Sequence, residues 1–111
     1  MSRRVAPGGM VDAADIMPER DLQETVRQIA LAHGWDYYHT HDSRHSDEGF
    51  PDVIAIHEGM GRGLVAELKR EGEEPTAAQR RWLALFRAMG WETHVWRPRD
   101  LDEIQRLLGG R

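Results

Sequence analysis

Three charged residues sit where a core hairpin should be apolar. Asp52 heads the run DVIAIH, and Glu67 and Lys69 stand two residues apart inside GLVAELK. Side chains alternate faces along a strand, so Glu67 and Lys69 point the same way as Val65, while Leu64, Ala66 and Leu68 point into the opposite layer. Between the runs lies EGMGR, whose glycines supply the backbone freedom of a turn. A turn centred near Gly59 and Met60 makes opposing residue numbers sum to about 119, which sets Asp52 across from Glu67. Two carboxylates at that spacing suit a hard divalent cation, because Mg²⁺ and Mn²⁺ take oxygen ligands and keep waters for exchange with a substrate phosphate. The main-chain carbonyl of Leu68 offers a further oxygen. Lys69 is placed to orient an attacking water and to offset charge developing on a phosphorane. This is the chemistry of phosphodiester hydrolysis.

The elements that must position these groups follow from the flanking sequence. After Pro18, the residues Leu22, Val26, Ile29, Ala30 and His33 recur at helical spacing, and Gly34 is placed to end the helix. WDYYHT, residues 35–40, is aromatic and β-prone, and the polar loop HDSRHSDEG follows it. Beyond the hairpin, Thr76 and Gln79 form a capping-box signature for a helix with Trp82, Leu83, Phe86 and Met89 on its apolar stripe and Gly90 at its end. WETHVW is a short alternating strand, and Asp100 is placed to cap a last helix built on Leu101, Ile104, Leu107 and Leu108. The predicted fold is α/β in the order α-β-β-β-α-β and a final α, a mixed sheet with a helix on each side and the last helix accessory. Residues 1–14 lack periodicity and read as a flexible leader to a single domain over 15–111.

Composition narrows the function. At 111 residues the chain can build one core and is expected to carry one site. There is no cysteine, which removes disulfides and thiolate metal sites, and with no apolar signal core or membrane-length run a cytoplasmic protein is expected. A net charge of -4 argues against a polycation that coats nucleic acid. It does not argue against a nuclease, because an acidic site loaded with metal reverses its local charge. Between Gly61 and Asp100 there are eight Arg or Lys against six acids, so this half leans basic.

The residues GFPD at 49–52, ELK at 67–69 and TAAQRRWL at 76–83 resemble the PD-(D/E)XK nuclease superfamily and, within it, the VRR-NUC family. The resemblance spans about residues 15–98 and implies a restriction-endonuclease-like core. It further implies a Mg²⁺- or Mn²⁺-dependent endonuclease acting on DNA, often on branched forms such as flaps or four-way junctions. Carried over by position, Asp52, Glu67 and Lys69 match the family's catalytic residues. Glu19, followed four residues later by Gln23, matches its first-helix acid, with Glu24 the neighbouring candidate. Positions 19 and 23 share a helical face, whereas 24 is rotated by about 100° from 23. Asp52, Glu67, Glu19 and the Leu68 carbonyl are then the expected metal ligands. Gln79 matches the family's glutamine in the second helix.

Ser43, Arg44 and His45 are expected near the active centre against the DNA backbone, with Arg80, Arg81 and Arg87 as further phosphate grips. A four-way junction as substrate would suit a homodimer, with the fourth strand's edge or the last helix as interface. Blander readings stand beside these. The charged hairpin face is also what a solvated cross-strand ion pair looks like, acids are common in a helix's first turn, and the capping box explains Gln79 fully. Trp82 reads as core. Two rival functions remain: a nucleic-acid-binding module that keeps the fold without the chemistry, and a zinc hydrolase on His39, His41 and His45.

Overall fold

Periodicity decides which face of each element is buried. A computed structural model describes residues 13–40 and 47–110. Leu22, Val26 and Ala30 recur every four residues and are fully buried, so helix α2 (Glu19–Ala32) lays one apolar stripe on the sheet. A single helical turn, α1 (Ala13–Ile16), precedes it, so Ala13 and Ala14 of the expected leader are already helical. Gly34 at φ +85° turns the chain into the first strand, as its placement after the apolar repeat requires.

Four strands form one sheet in the order β1 (Asp36–His39), β2 (Val53–His57), β3 (Arg62–Leu68) and β4 (Glu92–Trp96). The first two pairings are antiparallel; β3 and β4 are parallel because helix α3 (Ala77–Ala88) carries the chain back across the sheet. In the hairpin Val53 faces Ala66 and Ile54 faces Val65, the register read from the turn. Val53, Ala55, Leu64, Ala66 and Leu68 therefore look toward α2, and the alternate residues, Val65 and Glu67 among them, toward α3.

The last helix, α4 (Leu101–Leu108), is part of the core and not an accessory to it. Its Ile104 and Leu108 are fully buried in one cluster with Leu22, Val26, Trp35 and Trp96. Two donors from the sheet side hold its end: Trp35 Nε1 donates to the Leu108 carbonyl at 2.8 Å and Arg62 Nη1 to that of Leu107 at 3.0 Å. Arg62 also grips Glu92 through two hydrogen bonds of 2.8 and 2.7 Å and lies over the Trp35 ring. Asp100 occupies the N-cap position of α4, but its side chain makes no cap hydrogen bond to that helix. Its Oδ2 accepts from the Arg97 amide at 2.8 Å and closes the 3₁₀ turn Pro98–Asp100 that leads into the helix.

Helix α3 covers the opposite face more lightly. Its N-terminus has the expected capping box, with Thr76 Oγ1 accepting from the Gln79 amide and Gln79 Oε1 from the Thr76 amide. Trp82, Leu83 and Phe86 are half-buried, but Met89 is 77 % exposed, because it falls at the C-cap where the chain turns away toward β4. Trp82 packs edge-to-face on Phe50 and tilted against Phe86, and Phe86 meets both Phe50 and Trp91 edge-to-face. Among the described residues no helix is long and apolar enough to cross a membrane.

One glycine permits the closest approach in this layer. Gly49 has φ +80°, and a Cβ there would lie 2.5 Å from the carbonyl carbon of Ala78 at the start of α3. Gly61, at φ +64°, has open space around it. Gly49→Ala combines backbone strain with a displaced helix and is expected to cost about 2–3 kcal/mol. Gly61→Ala carries strain alone and is expected to cost about 1 kcal/mol. Urea unfolding of both variants checks the order, and equal losses would show that the contact with α3 carries no load.

Candidate active site

The segment that delivers Asp52 is clamped on both sides. Trp82 Nε1 donates to the Glu48 carbonyl at 3.2 Å, Phe50 packs on Trp82 and Phe86, and Pro51 is buried. From the sheet side, the Thr40 amide donates to the Asp52 carbonyl at 2.8 Å and Thr40 Oγ1 to that of Pro51 at 2.9 Å. Asp52 stands one residue before β2, where the main-chain ladder to β3 has run out. Its Oδ2 accepts the Leu68 amide at 2.8 Å, so a side chain continues the pairing to the end of β3. A hydrogen bond to a charged acceptor of this kind contributes about 1.5–3 kcal/mol, and it orients the carboxylate.

Extending the register by one residue puts Glu67 opposite Asp52, as the sequence predicts. Glu67 is 0 % exposed, the one buried charged side chain among the described residues, and neither carboxylate oxygen meets a hydrogen-bond donor. Burial raises its pKa to about 9, and the neighbouring carboxyl of Asp52 adds to the rise, with Glu19 contributing in the same direction and Lys69 opposing. Two ionised carboxylates cannot hydrogen-bond each other; a proton or a cation must lie between them. Lys69 follows on the same face, its amide donating to the Trp96 carbonyl at 2.9 Å and so fixed by the β3–β4 ladder.

Glu19, in the first turn of α2, reaches the same place. Glu19 as a whole is solvent-exposed, yet burial of its carboxyl raises the pKa, Asp52 raises it further, and Lys69 pulls it back. Those neighbours tie it to the hairpin. Glu24 points elsewhere, accepting from Gln28 at 2.7 Å and Arg27 at 3.4 Å on the helix surface. Gln23 accepts at Oε1 from the Tyr37 hydroxyl at 3.0 Å, which links α2 to β1 one turn from Glu19. Burial raises the pKa of that hydroxyl, with Asp52 next in weight, so it stays a donor. Tyr37 was not singled out from the sequence. Its signal was there, since alternation in WDYYHT turns residue 37 toward the helix that carries Gln23.

Other expected residues fall differently. Gln79 sits at the start of α3 with its Oε1 committed to the cap. Arg80 and Arg87 line a groove between α3 and β4, and Arg81 does not. His39 lies on β1 opposite Val53, in a cleft with Gln23, Glu24, Arg27, Tyr37 and Tyr38. His41, Ser43, Arg44 and His45 lie outside the described residues. Among the described residues no three carboxylate or imidazole groups close around a single point. Asp52 and Glu67 form a pair, with Glu19 beside them and the Leu68 carbonyl on the last residue of β3.

Comparison with known proteins agrees with this arrangement of elements. The family model for the VRR-NUC domain matches residues 10–100. The chain belongs to the VRR-NUC family. A solved structure described as a VRR_NUC domain superposes with a TM-score of 0.65 at 23 % identity, covering 79 % of this chain and 94 % of that one. At that identity it supports the fold alone, a mixed four-stranded sheet flanked by helices and closed by a C-terminal helix. No curated protein matches the chain. A VRR-NUC domain is a nuclease-type fold, and the family relates the chain to work on DNA.

The raised pKa of Glu67 has a measurable consequence. The folded state holds a proton that the unfolded chain releases above the ordinary glutamate value of 4.5, so in metal-free buffer Glu67 lowers stability progressively as pH rises from there to about 9. Glu67→Gln removes the ionisation. Its Tm relative to the unaltered protein is expected to increase steadily across that window, and a difference that does not change with pH would refute the assignment.

Proposed function

We propose that this chain is a metal-dependent endonuclease that hydrolyses DNA phosphodiester bonds. The observation that carries the reading is the buried, donorless carboxylate of Glu67 facing Asp52, with Lys69 on the same face. A structural ion pair would have given Glu67 a partner, because a buried charge without one is costly. A hard divalent cation supplies that partner, and a two-carboxylate site that leaves room for waters is the kind Mg²⁺ or Mn²⁺ accepts. Asp52 and Glu67 would hold the ion, aided by the Leu68 carbonyl, with Glu19 adding negative charge; bound there, it would polarise the phosphoryl oxygen and ease departure of the leaving oxygen.

The remaining work falls to the chain's own groups. Asp52 is held in one orientation by the Leu68 amide, so it need not reorganise when substrate enters. Lys69, fixed through its main chain, orients the water that attacks phosphorus and offsets the charge that builds on the phosphoryl oxygens. Attack forms one P–O bond and breaks another, and the proton lost by the water ends on the departing oxygen or in solvent. Resemblance to the family favours branched DNA, flaps or four-way junctions, as substrate. On a junction, a homodimer would present two sites to symmetric strands. Strand β4 remains an open edge for such pairing, whereas α4 has its apolar stripe turned inward.

Labelled flap, four-way-junction, duplex and single-stranded DNA incubated with Mg²⁺, Mn²⁺ or chelator tests the activity. Cleavage is expected only with metal, and Asp52→Ala and Lys69→Ala, each confirmed folded, are expected to lose at least about 10²-fold in rate. Cleavage at full rate in both folded variants would remove the site. Metal-independent binding with no cleavage of any substrate would favour a binding module. Independently of activity, Mn²⁺ is expected to raise the Tm of the unaltered protein and leave that of Glu67→Gln unmoved.

A further inference from the structure

A groove of about 320 Å³ runs between helix α3 and the edge strand β4, outside the carboxylate site. Arg80, Leu83, Ala84 and Arg87 line one wall and Thr93, His94 and Val95 the other; no carboxylate is among them. Of the acids in the flanking segments, Glu92 is gripped by Arg62, with its Oε1 also 3.9 Å from His94 Nε2, and Glu74 pairs with Arg97. Arg87 is held by a hydrogen bond from its Nε to Thr93 Oγ1 at 3.3 Å, and Arg80 by one from Nη1 to the Pro75 carbonyl at 2.6 Å. In each case the rest of the guanidinium keeps donors for an anion.

The direction of the groove is set by the sheet. Thr93 pairs with Val65 and Val95 with Glu67, so passing from the Arg87 end to the Arg80 end is passing toward the level of the carboxylates. The two arginines are seven residues apart on one helix, a rise of about 10 Å, and because the phosphates of a strand wind around the duplex axis as they rise, that separation matches phosphates about one to two steps apart on one strand. The lining offers leucine, alanine, valine and threonine but no Phe, Tyr or Trp, and its one imidazole, His94, is stacked on Trp96 at 5.1 Å. Single-strand sites stack bases on aromatic side chains; a groove with two separated guanidiniums and nothing to stack on fits a paired backbone instead.

We propose that the α3–β4 groove seats the phosphate backbone of the duplex arm flanking the cleaved bond, Arg80 and Arg87 holding nearby phosphates of one strand. The proposal rests on the nuclease reading and names the part of the substrate that is gripped away from the scissile bond. Arg81, outside the groove, takes no part in it. Binding depends on charge and spacing and carries no base sequence preference.

Binding is measured in the Lys69→Ala background, so that cleavage does not consume the probe, with a labelled duplex and the same labelled strand unpaired, over a salt series. Arg80→Gln with Arg87→Gln is expected to weaken duplex binding roughly tenfold and to flatten the slope of log affinity against log salt by about two, with a far smaller effect on the single strand. Arg106→Gln, an exposed residue paired with Glu103 on α4, serves as control and is expected to change neither. Unchanged duplex affinity and slope would overturn the proposal, and so would equal losses on duplex and single strand. The protein with Lys69 intact separates the two readings. Failure to cleave any DNA, with arginine-dependent duplex binding retained, removes the hydrolytic reading and upholds the groove; cleavage with no arginine effect removes the groove alone.

Discussion

A buried carboxylate without a donor is the constraint to which the rest of this fold answers. Glu67 lies near the end of the interior strand β3, whose residues Leu64, Val65, Ala66 and Leu68 are all buried. Taking a charge out of water unpaired costs several kcal/mol, and folding is normally a balance of about 5–15 kcal/mol. The chain tolerates the cost because the residue can hold a proton while no cation is bound, and because the opposite face of the same strands is well packed. The acid is placed where the sheet ends, so the burden stays local.

The two faces of the sheet share the work unequally. On one side α2 and α4 bury Leu22, Val26, Ala30, Ile104 and Leu108 with Trp35 and Trp96, and Arg62 staples strand to helix at the end remote from the site. That side supplies rigidity. On the other, α3 has no fully buried residue and touches the sheet through half-buried aromatics. It closely approaches the segment that carries Asp52, through Gly49, Phe50 and the Trp82–Glu48 hydrogen bond. The lighter layer thus acts on the position of Asp52, while the hydrogen bond from the Leu68 amide fixes its direction.

Much of this was legible in the sequence where short-range rules apply. Alternation placed Glu67 and Lys69 on one face, counting across the glycine turn gave the register, and Thr76 with Gln79 marked the start of α3 correctly. Glu19 was chosen over Glu24 by family position and helical phase; in the structure Glu19 has Asp52 and Lys69 as electrostatic neighbours, whereas Glu24 accepts from Gln28 and Arg27. What was not legible depends on distant partners. The stripe on α4 reads the same whether it closes the core or lies beside it; the difference is made by donors from Trp35 and Arg62, which are 73 and 45 residues away from the carbonyls they reach. Tyr37 acquires meaning only when α2 brings Gln23 within reach of its hydroxyl. Asp100 had two short-range options, and the nearer turn took it. Met89 fits the helical phase but lies one residue past the last turn, where phase no longer predicts burial.

Net charge is a poor guide to what this surface presents. The chain carries four more acids than bases, yet several of its acids spend their charge on local partners: Glu92 on Arg62, Glu71 on Arg99, Glu74 on Arg97, Glu103 on Arg106. Exposed pairs of this kind add little stability, but each removes an acid and a base together from the field seen at a distance. Two places stand out among the described residues: the carboxylates at the end of the sheet, and two arginines in a groove whose lining contains no acid. A polyanion approaching such a molecule meets repulsion at the carboxylates unless cations are bound there, and attraction along α3 in either case. Under the proposed function, electrostatics alone would order the events, with the flanking backbone captured by the arginines and the scissile phosphate admitted only when the acidic site has been neutralised.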